Sequence, residues 1–369
     1  MAETEARWLL MEAGGSDAMP FRARIESVGR RLPEDRVTTE AVMRSTRHRT
    51  RIDLERLTGI RERRWVGDGE DSATLAIDAA RDCLRRSAHA AEDLDVLIVC
   101  SITKYRDGLA QQMEPPLSHH VRQAIGADRA QVFDLSNACA GLLTGMFVLN
   151  DWIRRGQVRC GMVVSGEDIS SLARNAAKHV RHILSKELAS LTLGDAGAAA
   201  IVDRAPEGSE GITAAGFTTL AAHSRLCLAQ PSEREPGARM RTDSRGIHRA
   251  AIEDLPPLLR EALDAAGLQL HDIDWVVPHQ TSARAIRKGM AEVAQALGDE
   301  PRHPAVVTVD RFGNTASTTH VVALVEMLED GRLRAGDRVA LVALASGLEV
   351  GVLVVTVDEH LAGRDGHDA

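Results

Sequence analysis

The stretch EDLDVLIV at 92–99 returns as HDIDWVVP at 271–278, 179 residues later, and each copy follows a segment with helical periodicity. A repeat this long exceeds any solenoid unit, so the chain carries two copies of one domain rather than an array of small modules. The copies stay in step beyond that point. VFDLSNAC at 132–139 runs from strand pattern toward helix pattern as VTVDRFGN does at 307–314, which predicts Cys139 and Asn314 at corresponding strand-to-helix corners. With 369 residues, 44% of them apolar, the chain has enough material for two ordinary cores.

Each copy reads as α/β. Aromatic residues are only 3% of the chain, and short Val/Ile/Leu runs of the kind buried on both faces of a sheet alternate with longer helical stretches. Strands are predicted at 95–101, 131–135, 160–165, 198–203, 274–277, 305–309, 338–345 and 350–357. Helices are predicted at 74–87, 140–155, 251–266, 281–297 and 315–329. These place one half at 20–205 and the other at 206–358. The polar, Pro/Gly-bearing segment 222–248 reads as a long connection or lid. The last nine residues, LAGRDGHDA, are expected to fray.

The formal net charge of −8 and a pI near 6.0 provide no basic footprint for nucleic acid. Five cysteines with no C-x-x-C pair argue against a disulfide framework or a thiolate zinc site, and His179 and His182 lack a third ligand pattern, so no metal is expected. The acidic first residues do not resemble a secretory leader, and no apolar run is long enough to span a bilayer. A cytoplasmic location is the expectation.

Three segments carry candidate chemistry. In DLSNACAGLLTGM, Cys139 follows a buried strand and opens an Ala/Gly/Leu-rich helix, where the positive end of the helix dipole favours thiolate. In WVVPHQTSARAI, His279 follows a buried strand directly, and in DRFGNTAST, Asn314 follows a glycine. The motifs N-A-C-A-G, P-H-Q-x-x-x-R and G-N-T-x-S resemble the three active-site motifs of the ketosynthase III enzymes of the thiolase superfamily, in the family order. TGIRERRW at 58–65, GEDIS at 166–170, LGDAGAAAIV at 193–202 and ALASGLEVGVLVV at 343–355 extend the resemblance over most of the chain.

The resemblance implies the thiolase fold, two pseudo-symmetric α/β halves in five αβαβα layers, and an acyltransferase that forms carbon–carbon bonds. It implies that Cys139 accepts an acyl group, while His279 and Asn314 donate hydrogen bonds to the enolate oxygen of a second thioester. The backbone N–H groups of Cys139 and the Ser346–Gly347 turn would make a second oxyanion hole. No permanently bound cofactor is implied, only coenzyme A or phosphopantetheine as the thioester carrier, with Arg284, Arg61 and Arg64 as candidate contacts. Asp53 and Leu57 stand where initiating synthases of the family have a Trp and an Arg for coenzyme A, so the usual contacts are not all present.

Two branches of the family fit. Initiating synthases obtain their carbanion by decarboxylating a malonyl thioester and need no base. The branch resembling the long-chain olefin and β-lactone pathway thiolases joins two acyl thioesters without decarboxylation. That branch needs a base, a Glu about 25 residues before the nucleophile delivered from the partner subunit; here MEPPLSHHV puts Glu114 at that position. The resemblance favours the second branch and a homodimer, with a heterodimer also open. A non-condensing acyltransferase acting on an alcohol or amine, and a non-catalytic partner subunit, are the readings from other classes.

Overall fold

The computed structural model describes residues 9–10 and 19–363. The first half builds a sheet from β1 (Ala23–Arg31), β2 (Val96–Val99), β3 (Gln131–Asp134), β4 (Cys160–Glu167) and β5 (Ala196–Arg204), in the order β1-β5-β4-β2-β3. Strands β4, β2 and β3 are parallel, and β5 runs against both neighbours. The second half repeats the pattern with β6 (Ile212–Thr219), β7 (Trp275–Pro278), β8 (Arg338–Ala345) and β9 (Glu349–Thr356), ordered β6-β9-β8-β7, with Leu9–Leu10 on the outer edge of β6. Only β7 and β8 are parallel there.

The duplication is visible down to single bonds. Asp93 and Asp272 each accept a backbone N–H three residues upstream at 2.9 Å. Asp95 and Asp274, just before β2 and β7, each accept the N–H that opens the neighbouring parallel strand, from Cys160 at 3.2 Å and Arg338 at 2.9 Å.

The layers are built chiefly by α1 (Ser72–Arg85), α2 (Gly141–Arg154), α3 (Ser244–Ala265), α4 (Ala283–Leu297) and α5 (Thr319–Glu329), with the helix Leu117–Ile125 beside α1. Between the sheets, Leu142, Met146 and Leu149 of α2 and Val322, Val325 and Met327 of α5 pack with Val28, Ala200, Leu341 and Leu353 in one core. Covered on all sides, α5 is buried from Thr319 to Leu328, which is why its sequence shows no polar face. Outside the first sheet, α1 sets Ala76, Ala79 and Cys83 on Leu97, Met162 and Ile201. Outside the second, α3 and α4 set Leu258, Leu259 and Val293 on Val276, Val342 and Val354. The five-layer arrangement is therefore present.

Helix α1 lies on its sheet with no clearance. A Cβ on Gly29, Gly166 or Gly197 would fall 2.2, 2.0 and 2.1 Å from backbone atoms of Cys83, Ser72 and Leu75. Its start is fixed by a capping box in which Asp71 and Thr74 exchange backbone-to-side-chain bonds of 2.8 and 2.9 Å.

Strands β1 and β6 are absent from the sequence expectation, and three further features differ from it. The predicted strand 305–309 does not form: Val306 N–H makes one bond to Val276 at 2.9 Å, and the chain then turns into a short helix, Val309–Phe312. The Gln280 carboxamide oxygen takes the Thr308 and Val309 N–H groups at 2.8 and 3.0 Å, so a side chain replaces the next ladder bonds. Segment 222–248 is structured, with an antiparallel hairpin of Cys227–Pro231 and Ala238–Thr242 leading into α3, which begins at Ser244 rather than 251. At the C-terminus, Glu359–Gly363 form a helix, while the rest of the stretch expected to fray lies outside the described residues. Among the described residues, no helix is long and apolar enough to cross a membrane.

Candidate active site

Strand β3 ends at Asp134, and after a short loop the single 3-10 turn Ala138–Ala140 opens into α2. Ala138 adopts a φ of 44°, and Ala316 repeats the feature at 54° in the 3-10 turn Ala316–Thr318 that opens α5. Cys139 therefore corresponds to Ser317, and Asn314 sits three residues ahead of that position. This corrects the predicted pairing of Cys139 with Asn314: Ser317 is the counterpart of Cys139, and Asn314 is approached through the short helix Val309–Phe312 rather than from a strand. The two turns pack on each other, and the Cys139 turn also packs on β8 and β9.

The Cys139 side chain is partly buried and packs against a cluster of Ile169, Leu172, Leu193 and Ala316, on which Ala238 and Met240 of the hairpin also pack. This enclosure overrides the predicted effect of the helix dipole. Burial first, then the nearby Cys227 and Glu167, push the thiol above its ordinary value, so it rests protonated.

His279 closes β7, and its N–H donates to Val342 O at 2.8 Å. The ring is buried, with Nδ1 making no hydrogen bond, and its pKa is pushed down to about 3, chiefly by burial and then by His320. It is a neutral imidazole, fit to donate a hydrogen bond to developing oxygen charge rather than to act as a cation. The next residue, Gln280, holds Pro278 O and Val306 O through its amide at 2.9 Å each, while its oxygen takes the Thr308 and Val309 N–H groups. This single buried side chain ties the His279 corner to the segment that carries Asn314.

Asn314 is clamped by its backbone between Thr192 and Gly194, with bonds of 2.9 and 3.0 Å. Its Oδ1 accepts from Ala316 N–H at 3.0 Å, which commits the oxygen inward and leaves the NH2 group as the donor it can offer. Gly313 before it has a φ of +70°, and a Cβ there would meet Thr192 O and Arg63 Cβ at 2.8 Å each. Arg63 is fully buried beneath, bonded to Thr39 Oγ1 at 2.9 Å and Leu191 O at 3.0 Å, and burial lowers its pKa to about 10. The third arginine of TGIRERRW, Arg64, also serves the scaffold, holding Pro33 O at 3.0 Å and Glu34 O at 3.1 Å.

The other predicted contacts lie on the surface. Arg61 is exposed and paired with Asp310 at 2.8 Å, and Arg284 is exposed on the first turn of α4. The two flank one contact, where Ile60 and Ala283 share an apolar cluster. Gly347 has a φ of +138°, which a side chain would strain, in the turn joining β8 to β9. Glu114 is exposed on the loop before the helix Leu117–Ile125, beside Met113, which is 82% exposed. The residues packed on Cys139 come from other segments.

Two buried acids behind the site were not singled out from sequence. Glu167 of GEDIS accepts from Ile102 N–H at 2.9 Å, Thr103 N–H at 3.1 Å, Ser165 Oγ at 3.2 Å and Ser317 Oγ. It thereby holds the counterpart of Cys139 in place. Asp195 of LGDAG accepts from the N–H groups of Ile169 and Ser170 at 2.7 Å and of Val66 at 2.8 Å.

Asp168 is buried beside Asp195 with its Oδ1 making no hydrogen bond, so Asp168 is the member that takes a proton. Its pKa rises to about 7, by burial first and then by Asp195. A carboxyl whose folded pKa is raised leaves full stability below its unfolded value near 4 and loses it as pH rises through about 7. Asp168→Asn is therefore expected to raise the melting temperature at pH 8, with the gain vanishing near pH 4. Melting curves of both proteins across that range check this; a gain independent of pH would contradict it.

Residues 133–220 match the family model for 3-oxoacyl-[acyl-carrier-protein] synthase III, and residues 263–357 match the model for its C-terminal part. Beta-ketoacyl-[acyl-carrier-protein] synthase III of Rhizorhabdus wittichii is 30% identical over 337 residues, which cover 90% of this chain and 99% of the relative. The chain belongs to the ketosynthase III family of carbon–carbon bond-forming acyltransferases. Among solved structures, the priming beta-ketosynthase of the R1128 polyketide pathway is 26% identical, with a TM-score of 0.77 and coverage of 92% of this chain and 98% of that one. An OleA variant from Xanthomonas campestris, 22% identical over 94% of this ketosynthase III chain and 100% of its own, shares the fold at a TM-score of 0.77.

Proposed function

We propose that this ketosynthase III homologue condenses two acyl thioesters without decarboxylation and releases a β-ketoacyl thioester. The convergence of the Cys139 turn, the His279 corner and the Asn314 clamp on β8 and the 316–318 turn supports condensation, and the observation that carries the choice of branch is Glu114, 25 residues ahead of Cys139. In the first half-reaction, Cys139 sulfur attacks the acyl carbonyl, its proton leaves on the departing coenzyme A or phosphopantetheine thiol, and the N–H groups of Cys139 and Gly347 hold the oxyanion. Arg61 and Arg284, exposed on either side of the Ile60–Ala283 contact, are the assigned contacts for the carrier.

In the second half-reaction a base removes the α-proton of another acyl thioester. The enolate oxygen accepts from His279 and Asn314, the α-carbon attacks the acyl group on Cys139, and the Cys139 thiolate departs. Glu114 of a second copy in a homodimer is the assigned base. Its support is the position 25 residues ahead of Cys139 and its exposure beside Met113, an apolar side chain left for a partner to cover. The names of the curated relatives keep decarboxylative condensation with a malonyl thioester as the second reading.

A long-chain acyl-CoA supplied alone is expected to yield β-ketoacyl product and free coenzyme A. Glu114→Gln is expected to keep the Cys139 adduct and lose product about 100-fold. Strict dependence on a malonyl thioester would overturn the non-decarboxylative reading.

A further inference from the structure

His320, the second residue of α5, is fully buried, and the reaction as described gives it no task. Its Nε2–H donates to Val342 O at 3.0 Å, the same carbonyl that takes the His279 backbone N–H at 2.8 Å. A carbonyl has two lone pairs, so one oxygen serves both donors. The two rings stand 6.2 Å apart, inclined by 35°.

Position makes this bond more than packing. His320 follows the 316–318 turn, which packs on the Cys139 turn and whose first N–H fixes the Asn314 carboxamide. Val342 lies on β8, the strand against which both the Cys139 turn and β7 are placed. One side-chain bond therefore joins the segment carrying Asn314 to the carbonyl that anchors His279.

We propose that His320 is a positioning residue for the condensation half-reaction, setting the separation of the His279 and Asn314 donors through the shared Val342 carbonyl. The inference rests on the roles given to Cys139, His279 and Asn314 above. Two donors meeting one enolate oxygen tolerate little displacement, since a shift of about 1 Å can cost about 100-fold in rate. Loading of Cys139 uses neither donor and does not depend on the bond. The second ring also helps keep His279 neutral, because a charge on either imidazole opposes a charge on the other.

The test compares the full-length protein with His320→Val and His320→Gln in single-turnover reactions with acyl-CoA, following the Cys139 adduct by intact mass and the β-ketoacyl product separately. Valine removes the donor while leaving Val342 O its bond from His279; glutamine restores an N–H at similar reach. Valine is expected to load Cys139 within about twofold of the parent and to condense about 30-fold more slowly, with glutamine recovering most of the loss. Unchanged condensation in the valine variant, an equal fall in both half-reactions, or glutamine no better than valine would overturn the proposal. If the valine variant does not fold, glutamine is compared with the shorter His320→Asn, and equal condensation by the two overturns it. Absence of any adduct in the parent protein instead removes the assigned role of Cys139, and the inference falls with it.

Discussion

Cys139→Ala is expected to carry no acyl adduct after treatment with acyl-CoA and to lose product formation by at least about 10⁴-fold, because both half-reactions pass through that sulfur. The fold should survive. The substitution removes one atom from a partly buried side chain at the edge of the main core, a cost of about 1 kcal/mol. Intact-mass measurement with peptide mapping checks the assignment. Cys83, Cys100 and Cys160 are buried, whereas Cys139 is only partly so, and a thiol that substrate does not reach does not compete. Cys227 is the informative control, being partly accessible on the hairpin over the site. An adduct that persists in Cys139→Ala and maps to Cys227 would remove the nucleophile assignment.

His279→Ala and Asn314→Ala are each expected to load Cys139 at near the parent rate and then stall, with condensation reduced about 10² to 10³-fold. The separation follows from the chemistry: acyl transfer to sulfur generates a tetrahedral oxyanion met by backbone N–H groups, whereas the enolate has only the two side-chain donors. Because the two donors act on one oxygen, the double variant should lose far less than the product of the single losses. Rapid-quench measurement of adduct and product in the three variants checks this. Losses that multiply, or a loading step that fails with condensation, would contradict the shared-oxygen arrangement.

Much of the candidate site was legible in the sequence because its residues sit at element ends, where an apolar run stops and a small or polar residue begins; the run before Cys139 proves to be a half-buried edge strand. Cys139 after VFDL, His279 after WVVP and Asn314 after Gly313 are all of that kind. What escaped is what depends on contacts distant along the chain. Strand β1 hides behind its charges, since Arg24 and Arg30 read as solvent-facing yet pair with Asp203, Asp358 and Glu326 at 2.6 to 2.8 Å. Strand β6, ITAAGFTT, has too few large apolar residues to stand out. The predicted strand at 305–309 failed because Gln280, 28 residues earlier, supplies the bonds a neighbouring strand would have made. His320 lay inside a helix rightly predicted at 315–329, but periodicity carries no sign that a ring in an otherwise apolar helix reaches a carbonyl on β8.

The shared central layer has a consequence for how the duplicated chain can exist. Helices α2 and α5 come one from each half and are enclosed by strands from both. Severed from its twin, either half would present a greasy helix to water with nothing to cover it, so neither half is expected to fold alone. A reactive centre built on that seam can be assembled only once the entire polypeptide has been made.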